Sequence, residues 1–240
     1  MREFLVFQIY GAMAAWGDIA VGETRRSAAY PTKSAILGLL AAALGIDRED
    51  DTTHHKIASA YGFGCKVISS GSLLIDFHTV QVPPQQRKAV LPTRKAELSS
   101  EKLGTLLSSR EYRCDASYII AVWLNNQSAP FSLKQLSEAL LHPIYTIYLG
   151  RKSCLPGLPL NPKIIDKSTL KEALDSQTDM ELILSNGIRL PETRLYYWED
   201  IAQSGLEPEQ QLERWDLPLS KKRWQFNPRL ENLFVEDKEL

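Results

Sequence analysis

Phe4 to Tyr10 reads Phe-Leu-Val-Phe-Gln-Ile-Tyr and stops at Gly11, a density of β-branched and aromatic side chains that predicts a buried strand. A loop follows from Gly11 to Pro31. Across Thr32 to Leu44 the apolar positions Ile36, Leu37, Leu40 and Leu44 recur at helical spacing, with Thr32 suited to cap the start and Gly45 to stop the end. A shorter helix is expected around Thr53 to Ala60, then strands near Phe63 to Ser69 and Leu73 to Val82 that turn at Gly71. From Pro83 to Ser109 the periodicity fades, and Pro83, Pro84 and Pro92 interrupt any regular element, which predicts an excursion from the body.

Order resumes at Cys114 to Leu124, where Tyr118 to Leu124 is a near-continuous apolar run of the kind found in a central strand buried on both faces. Ser132 to Leu141 places Leu133, Leu136 and Leu140 on one helical face. Pro143 ends that helix, and Ile144 to Leu149 reads as a further strand. The order strand, helix, strand pair with an excursion, strand, helix, strand approximates the split βαβ arrangement of ferredoxin-like and RNA-recognition folds. Pro156, Pro159 and Pro162 then mark a linker. The pattern thus predicts an α+β, ferredoxin-like domain over 1–155 and a smaller β-rich region over 156–240. In the latter, Glu181 to Leu184 and Arg189 to Trp198 suggest a hairpin turning at Asn186-Gly187. Trp215 to Val235 is mixed and yields no assignment.

Composition narrows the functional classes. The 240 residues are 44% hydrophobic and 24% charged, which excludes a disordered chain, and 28 Lys+Arg against 29 Asp+Glu give a net charge of -1. A broadly basic nucleic-acid binder is excluded, so any positive charge that matters must be concentrated in particular segments. Cys65, Cys114 and Cys154 are far apart with no CxxC pair, which suggests neither a disulfide framework nor a zinc site and points to a reducing cytoplasm. The N-terminal apolar run is too short for a signal peptide or a membrane span, so no membrane association is expected.

Cations gather in three places. Gly22 to Ser34 brings Arg25, Arg26 and Lys33, with Thr32 and Ser34, to the start of the clearest helix. Unpaired backbone N–H groups and the helix dipole make such a place an anion site. The same residues also fit a solvated loop, and a nucleotide P-loop is excluded because the required glycines are missing. Tyr145 to Ser153 ends an alternating segment in Gly150-Arg151-Lys152-Ser153, where the cations suit phosphate and Tyr145 and Tyr148 suit either base stacking or packing. The excursion carries Arg87, Lys88, Arg94 and Lys95 with no acidic residue between 77 and 96, and Arg110 and Arg113 flank its return. A projecting arm of that charge fits equally one that lies along a polyanion or wedges between partner subunits and a mobile basic loop.

Signs of catalysis are few. His54-His55 beside Asp50-Asp51 reads as a solvated helix cap in preference to a metal site, because adjacent helical residues point apart. His78 and His142 stand alone, and no Ser or Cys has a nucleophile-elbow setting.

Taken together, these stretches resemble the CasD family of RAMP-type subunits in the type I-E CRISPR Cascade complex. The resemblance is carried by Gly11 to Gly17, by Glu23-Thr24-Arg25 through Pro31 to Leu40, by Leu44-Gly45-Ile46 with Asp50-Asp51-Thr52, by Phe77 to Val80, by Arg110 to Ser117, and by Pro143 to Thr146 with Tyr148 to Cys154. These occur in order over residues 1 to about 160. The resemblance implies a ferredoxin-like body with a thumb hairpin that binds the five-prime handle of CRISPR RNA (crRNA) and touches the backbone subunit CasC and the large subunit CasA. Target DNA is then read by guide pairing, not by the protein. It implies that Arg25, Arg26, Lys33, Ser34, Tyr145, Tyr148, Arg151, Lys152 and Ser153 meet RNA. The thumb, about His78 to Arg113, would contact partners through His78, Arg87, Lys88, Arg94, Lys95, Arg110 and Arg113. No cofactor, metal or catalytic residue is implied, since a separate subunit, CasE, cuts the precursor. A related branch whose equivalent subunit is an endoribonuclease using tyrosine, lysine and histidine supplies the enzyme alternative.

Overall fold

The computed structural model describes every residue except 21, 85–90, 127, 186, 188–189 and 238–240, so Arg87 and Lys88 lie outside the described residues. Its centre is an antiparallel trio. β1 (Arg2–Ala14) and β3 (Tyr61–Ser69) lie on either side of β5 (Gly104–Leu124), in registers such as Phe7 opposite Ile120 and Cys65 opposite Ile120. Alternation along the strands sends their side chains to two different cores. Leu5, Phe7 and Ile9 face one core, beneath α1 (Lys33–Ala43), α2 (Asp51–Ala60) and α4 (Leu133–Leu141). Phe4, Val6, Ile119 and Trp123 face the other, beneath α5 (Leu170–Asp175) and α6 (Asp179–Ser185). The sheet is therefore covered by helices on both sides, which is why the run from Tyr118 to Trp123 is uninterruptedly apolar; buried side chains such as Ile119, Ile120 and Val122 contribute about 1.5–3 kcal/mol each.

The sheet continues outward in both directions. β6 (Lys163–Lys167) pairs with β1; β7 (Thr193–Trp198) pairs with β3 and is followed by β9 (Gln225–Asp237) and then β8 (Gln210–Ser220). Residues on both sides of position 155 thus contribute strands to one sheet. β5 is long because its first half leaves the body with β4 (Ser72–Val82), pairing from Ser72 opposite Cys114 to Val82 opposite Gly104. Gly71, at φ +66 and packed against the Cys114 carbonyl, makes the turn into this hairpin, as the sequence predicts. Its far end holds the short α3 (Arg94–Leu98). A two-residue β2 (Thr24–Arg25) runs parallel to β5 at the hairpin's base.

The helices begin and end where local chemistry directs. The Thr32 hydroxyl accepts from the Ala35 N–H and Gly45 ends α1 in the left-handed region at φ +73, while Ser132 and Gln135 form a capping box on α4.

Three sequence expectations are corrected. Ile144–Leu149 is not a strand, because its backbone is used elsewhere: the Ile144 and Tyr145 N–H groups donate to the Ala43 and Ala42 carbonyls, satisfying the last turn of α1. The place beside β1 goes to β6 instead. Glu181–Leu184 lies in α6, not in a hairpin, so the apolar run 182–184 is helical and the Gly187 N–H closes that helix on the Leu184 carbonyl. His54 is not solvated. It is buried with Nε2 3.1 Å from the Asp47 carbonyl oxygen, and burial holds its imidazole below the usual range. No cluster of three His, Cys, Asp or Glu side chains able to hold a metal occurs among the described residues.

Candidate nucleic-acid interface

The two glycine-associated basic loops, far apart in sequence, are fastened to the base of the β4–β5 hairpin. The Glu23 carbonyl accepts from the Ser109 N–H, the Glu111 carboxylate accepts from the Ser27 N–H, and Arg113 Nε donates to the Ala28 carbonyl. From the other loop, Arg151 donates to the carbonyls of Glu111 (3.2 Å) and Arg25 (3.4 Å), with its guanidinium 4.5 Å above the Tyr112 ring. Gly150, at φ +86, lies so close to the Ala15 carbonyl that a Cβ there would come within 1.8 Å of the oxygen. The hairpin base thus aligns segments 22–31 and 150–153 side by side.

These loops form one wall of a cleft of about 1320 Å³ floored by α1. Arg25, Arg26, Ser34, Tyr145, Tyr148, Arg151 and Lys152 all line it, so the structure brings most of the predicted RNA residues together. Arg25, Arg26, Lys152 and Ser153 are exposed, and Tyr145 and Tyr148 present half or a little less of their surface. Arg151 is half-buried and spends its donors on backbone carbonyls, which makes it an organiser of the wall.

Lys33 is a correction. It is buried, with Nζ 2.8 and 2.9 Å from the two oxygens of Glu199, and so it points away from solvent. The helix start is not an open anion site either: the Lys33 N–H donates to Asp216 of the same chain at 2.7 Å, so a carboxylate from β8 already sits where a phosphate was expected. Ser34 is likewise buried, its hydroxyl accepting from Lys221 Nζ at 2.7 Å.

On the hairpin, Arg94 and Lys95 are exposed on α3, where Arg94 pairs with Glu97 at 2.7 Å. His78 pairs with Asp76 at 2.5 Å, and Arg110 is exposed opposite Asp76. Both faces of the hairpin expose apolar side chains. Leu73, Ile75, Phe77 and Leu107 are exposed on one face, and Leu74, Val80 and Leu106 on the other.

The opposite wall of the cleft went unrecognised in the sequence. It comes from Arg48 and from the β8–β9 hairpin, with Arg214, Trp215, Lys221 and Trp224. The signal was the repeated basic–aromatic pair, Arg214-Trp215 and Arg223-Trp224, inside the unassigned tail.

A mixed sheet protein with a projecting hairpin and a cationic, aromatic-lined cleft is the class these features define. Residues 4–230 match the family model of the CRISPR-associated protein Cas5, and the chain belongs to that family. It is 36% identical over 161 residues to the CRISPR system Cascade subunit CasD of Escherichia coli K12, covering 67% of this chain and 70% of that one. Among solved structures, a chain of a CRISPR RNA-guided surveillance complex aligns over 98% of this chain and 90% of its own, with a TM-score of 0.63 at 23% identity. A crystal structure of a Cas protein aligns over 98% and 95%, with a TM-score of 0.64 at 25% identity.

Proposed function

We propose that this chain is a non-catalytic subunit of a type I-E Cascade surveillance complex, and that it holds the five-prime handle of crRNA in the cleft between the basic loops and the C-terminal hairpin. One observation carries the reading: two separate cationic loops, 22–31 and 150–153, are locked by the hairpin base into one wall of a single cleft. Exposed Arg25, Arg26 and Lys152 supply phosphate contacts there, and Tyr145 and Tyr148 supply ring faces. The strand order β6-β1-β5-β3, with α1 and α4 on one face, supports the ferredoxin-like reading of the body. The β4–β5 hairpin corresponds to the thumb. A two-stranded ribbon apolar on both faces is marginal alone in water, which suits insertion against a CasC-type backbone subunit, with a CasA-type subunit as the neighbour beyond. Specificity for target DNA then rests with the guide, in a cytoplasmic complex.

The test is retention of crRNA by the complex purified with its backbone and large subunits. Arg25→Glu, Arg26→Glu and Lys152→Glu combined should weaken retention more than about tenfold and lower the salt slope by roughly 2, because each lost phosphate contact releases fewer counterions. Unchanged retention and slope would sink the assignment. Cleavage of repeat RNA by the purified chain, abolished by replacing His78 or His142, would replace it with the endoribonuclease reading.

A second prediction concerns the hairpin. Deleting residues 84–108, which removes Gly104–Ser108 of β5 and leaves 78–83 to form the new turn, should leave the thermal midpoint of the body within a few degrees, while co-purification with the backbone subunit drops sharply. A misfolded product would show that the excursion belongs to the core.

A further inference from the structure

The C-terminal hairpin bounds the cleft, and its cleft-facing side chains are oddly placed for mere structure. Of the five tryptophans, Trp16, Trp123 and Trp198 are almost wholly buried, whereas Trp215 is 53% and Trp224 61% exposed, and both exposed rings line the cleft. Leaving large aromatic area in water forgoes the burial gain available to the other three. Trp224 is also held at φ +57, a left-handed conformation that a bulky side chain adopts only at a cost.

The turn that carries Trp224 is pinned to the body. Asp51, at the start of α2, accepts from the N–H groups of Lys221 (2.8 Å) and Lys222 (3.2 Å) and from the Ser220 hydroxyl (2.6 Å). Lys221 Nζ reaches back to Ser34 on α1. The Arg48 guanidinium lies 4.8 Å and Lys221 Nζ 5.8 Å from the Trp224 ring centroid, and the Phe226 ring stands nearly perpendicular to it at 5.4 Å. Lys221 is buried and hydrogen-bonded, but among the described residues no carboxylate lies within ion-pair distance of it. Burial, assisted by the Arg48 charge and only partly opposed by that of Asp216, pushes its ammonium down to about 8. Between the two walls the α1 floor offers Ala35, Gly38 and Ala42, short side chains that let a chain lie close.

We propose that Trp224, with Trp215 on the same wall, is a stacking platform for unpaired bases of the RNA strand whose phosphates lie on Arg25, Arg26 and Lys152, with the exposed Arg48 as a further phosphate contact. This rests on the RNA-binding reading above. Cations beside exposed aromatic faces in a groove are what single-stranded RNA requires. An apolar protein partner seated there would instead desolvate the exposed Arg48 without supplying charge.

The full-length chain is titrated with a short single-stranded oligoribonucleotide copied from the host CRISPR repeat, following tryptophan emission and affinity. Emission should be quenched in the wild type, and Trp224→Phe should remove much of the quenching while nearly preserving affinity. Trp224→Ala should weaken binding on the order of tenfold. Undiminished quenching in the Trp215→Phe, Trp224→Phe double variant overturns the platform. So does unchanged affinity in Trp224→Ala when Arg25→Glu with Arg26→Glu weakens binding, an outcome that leaves the RNA reading standing. Loss of the large subunit from Trp224→Ala complexes at unchanged RNA affinity overturns it in favour of a protein contact. No binding by the wild type removes the RNA reading and the platform with it.

Discussion

Arg229→Met is expected to lower the unfolding free energy by about 3–5 kcal/mol, a large fraction of the total for a domain of this size. Arg229 is the hub of a buried ionic cluster that joins the C-terminal hairpin to α1. Its guanidinium grips both oxygens of Asp216 at 2.6 and 2.9 Å and reaches Glu231 at 2.6 Å, with Glu199 at 3.9 Å. Glu231 is fully buried and also accepts from the Tyr30 hydroxyl. Removing the guanidinium leaves three carboxylates with, among the described residues, Lys33 as the one cation within ion-pair distance, and uncompensated buried charge is what makes breaking such clusters costly. Glu231→Gln in the Arg229→Met background removes one of those charges while keeping hydrogen-bond capacity, so it should recover part of the loss. Urea unfolding of the wild type and both variants measures this; a single variant within roughly 0.5 kcal/mol of wild type would show that the cluster contributes little.

That cluster also shows what a linear reading of the chain can and cannot reach. Elements defined by local chemistry were legible: the Thr32 cap, the spacing of Ile36, Leu37 and Leu40, and the Gly45 stop place α1, and the apolar run from Tyr118 to Leu124 places the buried C-terminal end of β5. Elements defined by distant partners were not. The alternation in 144–149 is real, since Ile147 and Leu149 are buried, but whether those N–H groups form a ladder or cap a helix depends on α1 lying beside them. Lys33 reads as a surface cation at a helix start, and only Glu199 and Asp216, arriving from later strands, turn it inward. The same holds for the cleft. Its first wall was visible as cations beside glycines, whereas the second required β8 and β9, whose inward-facing Asp216, Arg229 and Glu231 break the apolar alternation by which strands are recognised.

Gly150→Ala tests the first wall at its tightest point. The substitution meets two separate obstacles: a backbone φ of +86 that a Cβ disfavours, and an Ala15 carbonyl oxygen 1.8 Å from where that Cβ would sit. The oxygen belongs to backbone, so it cannot move aside as a flexible side chain would. The loop must retreat from residues 14–16 and strain the bond from the Ala15 N–H to the Leu149 carbonyl, now 2.9 Å. Strain and displacement together should cost about 3–5 kcal/mol, or roughly a 10 °C drop in thermal midpoint for a chain of this length. Because Arg151 and Lys152 follow directly, the variant should also lose RNA affinity at temperatures where it stays folded. Gly17→Ala is the matched control: nothing lies within 4 Å of a Cβ there, and it should melt with the wild type. If Gly150→Ala melts there too, the loop has room that this geometry denies it, and the positioning of Arg151 and Lys152 cannot depend on the glycine.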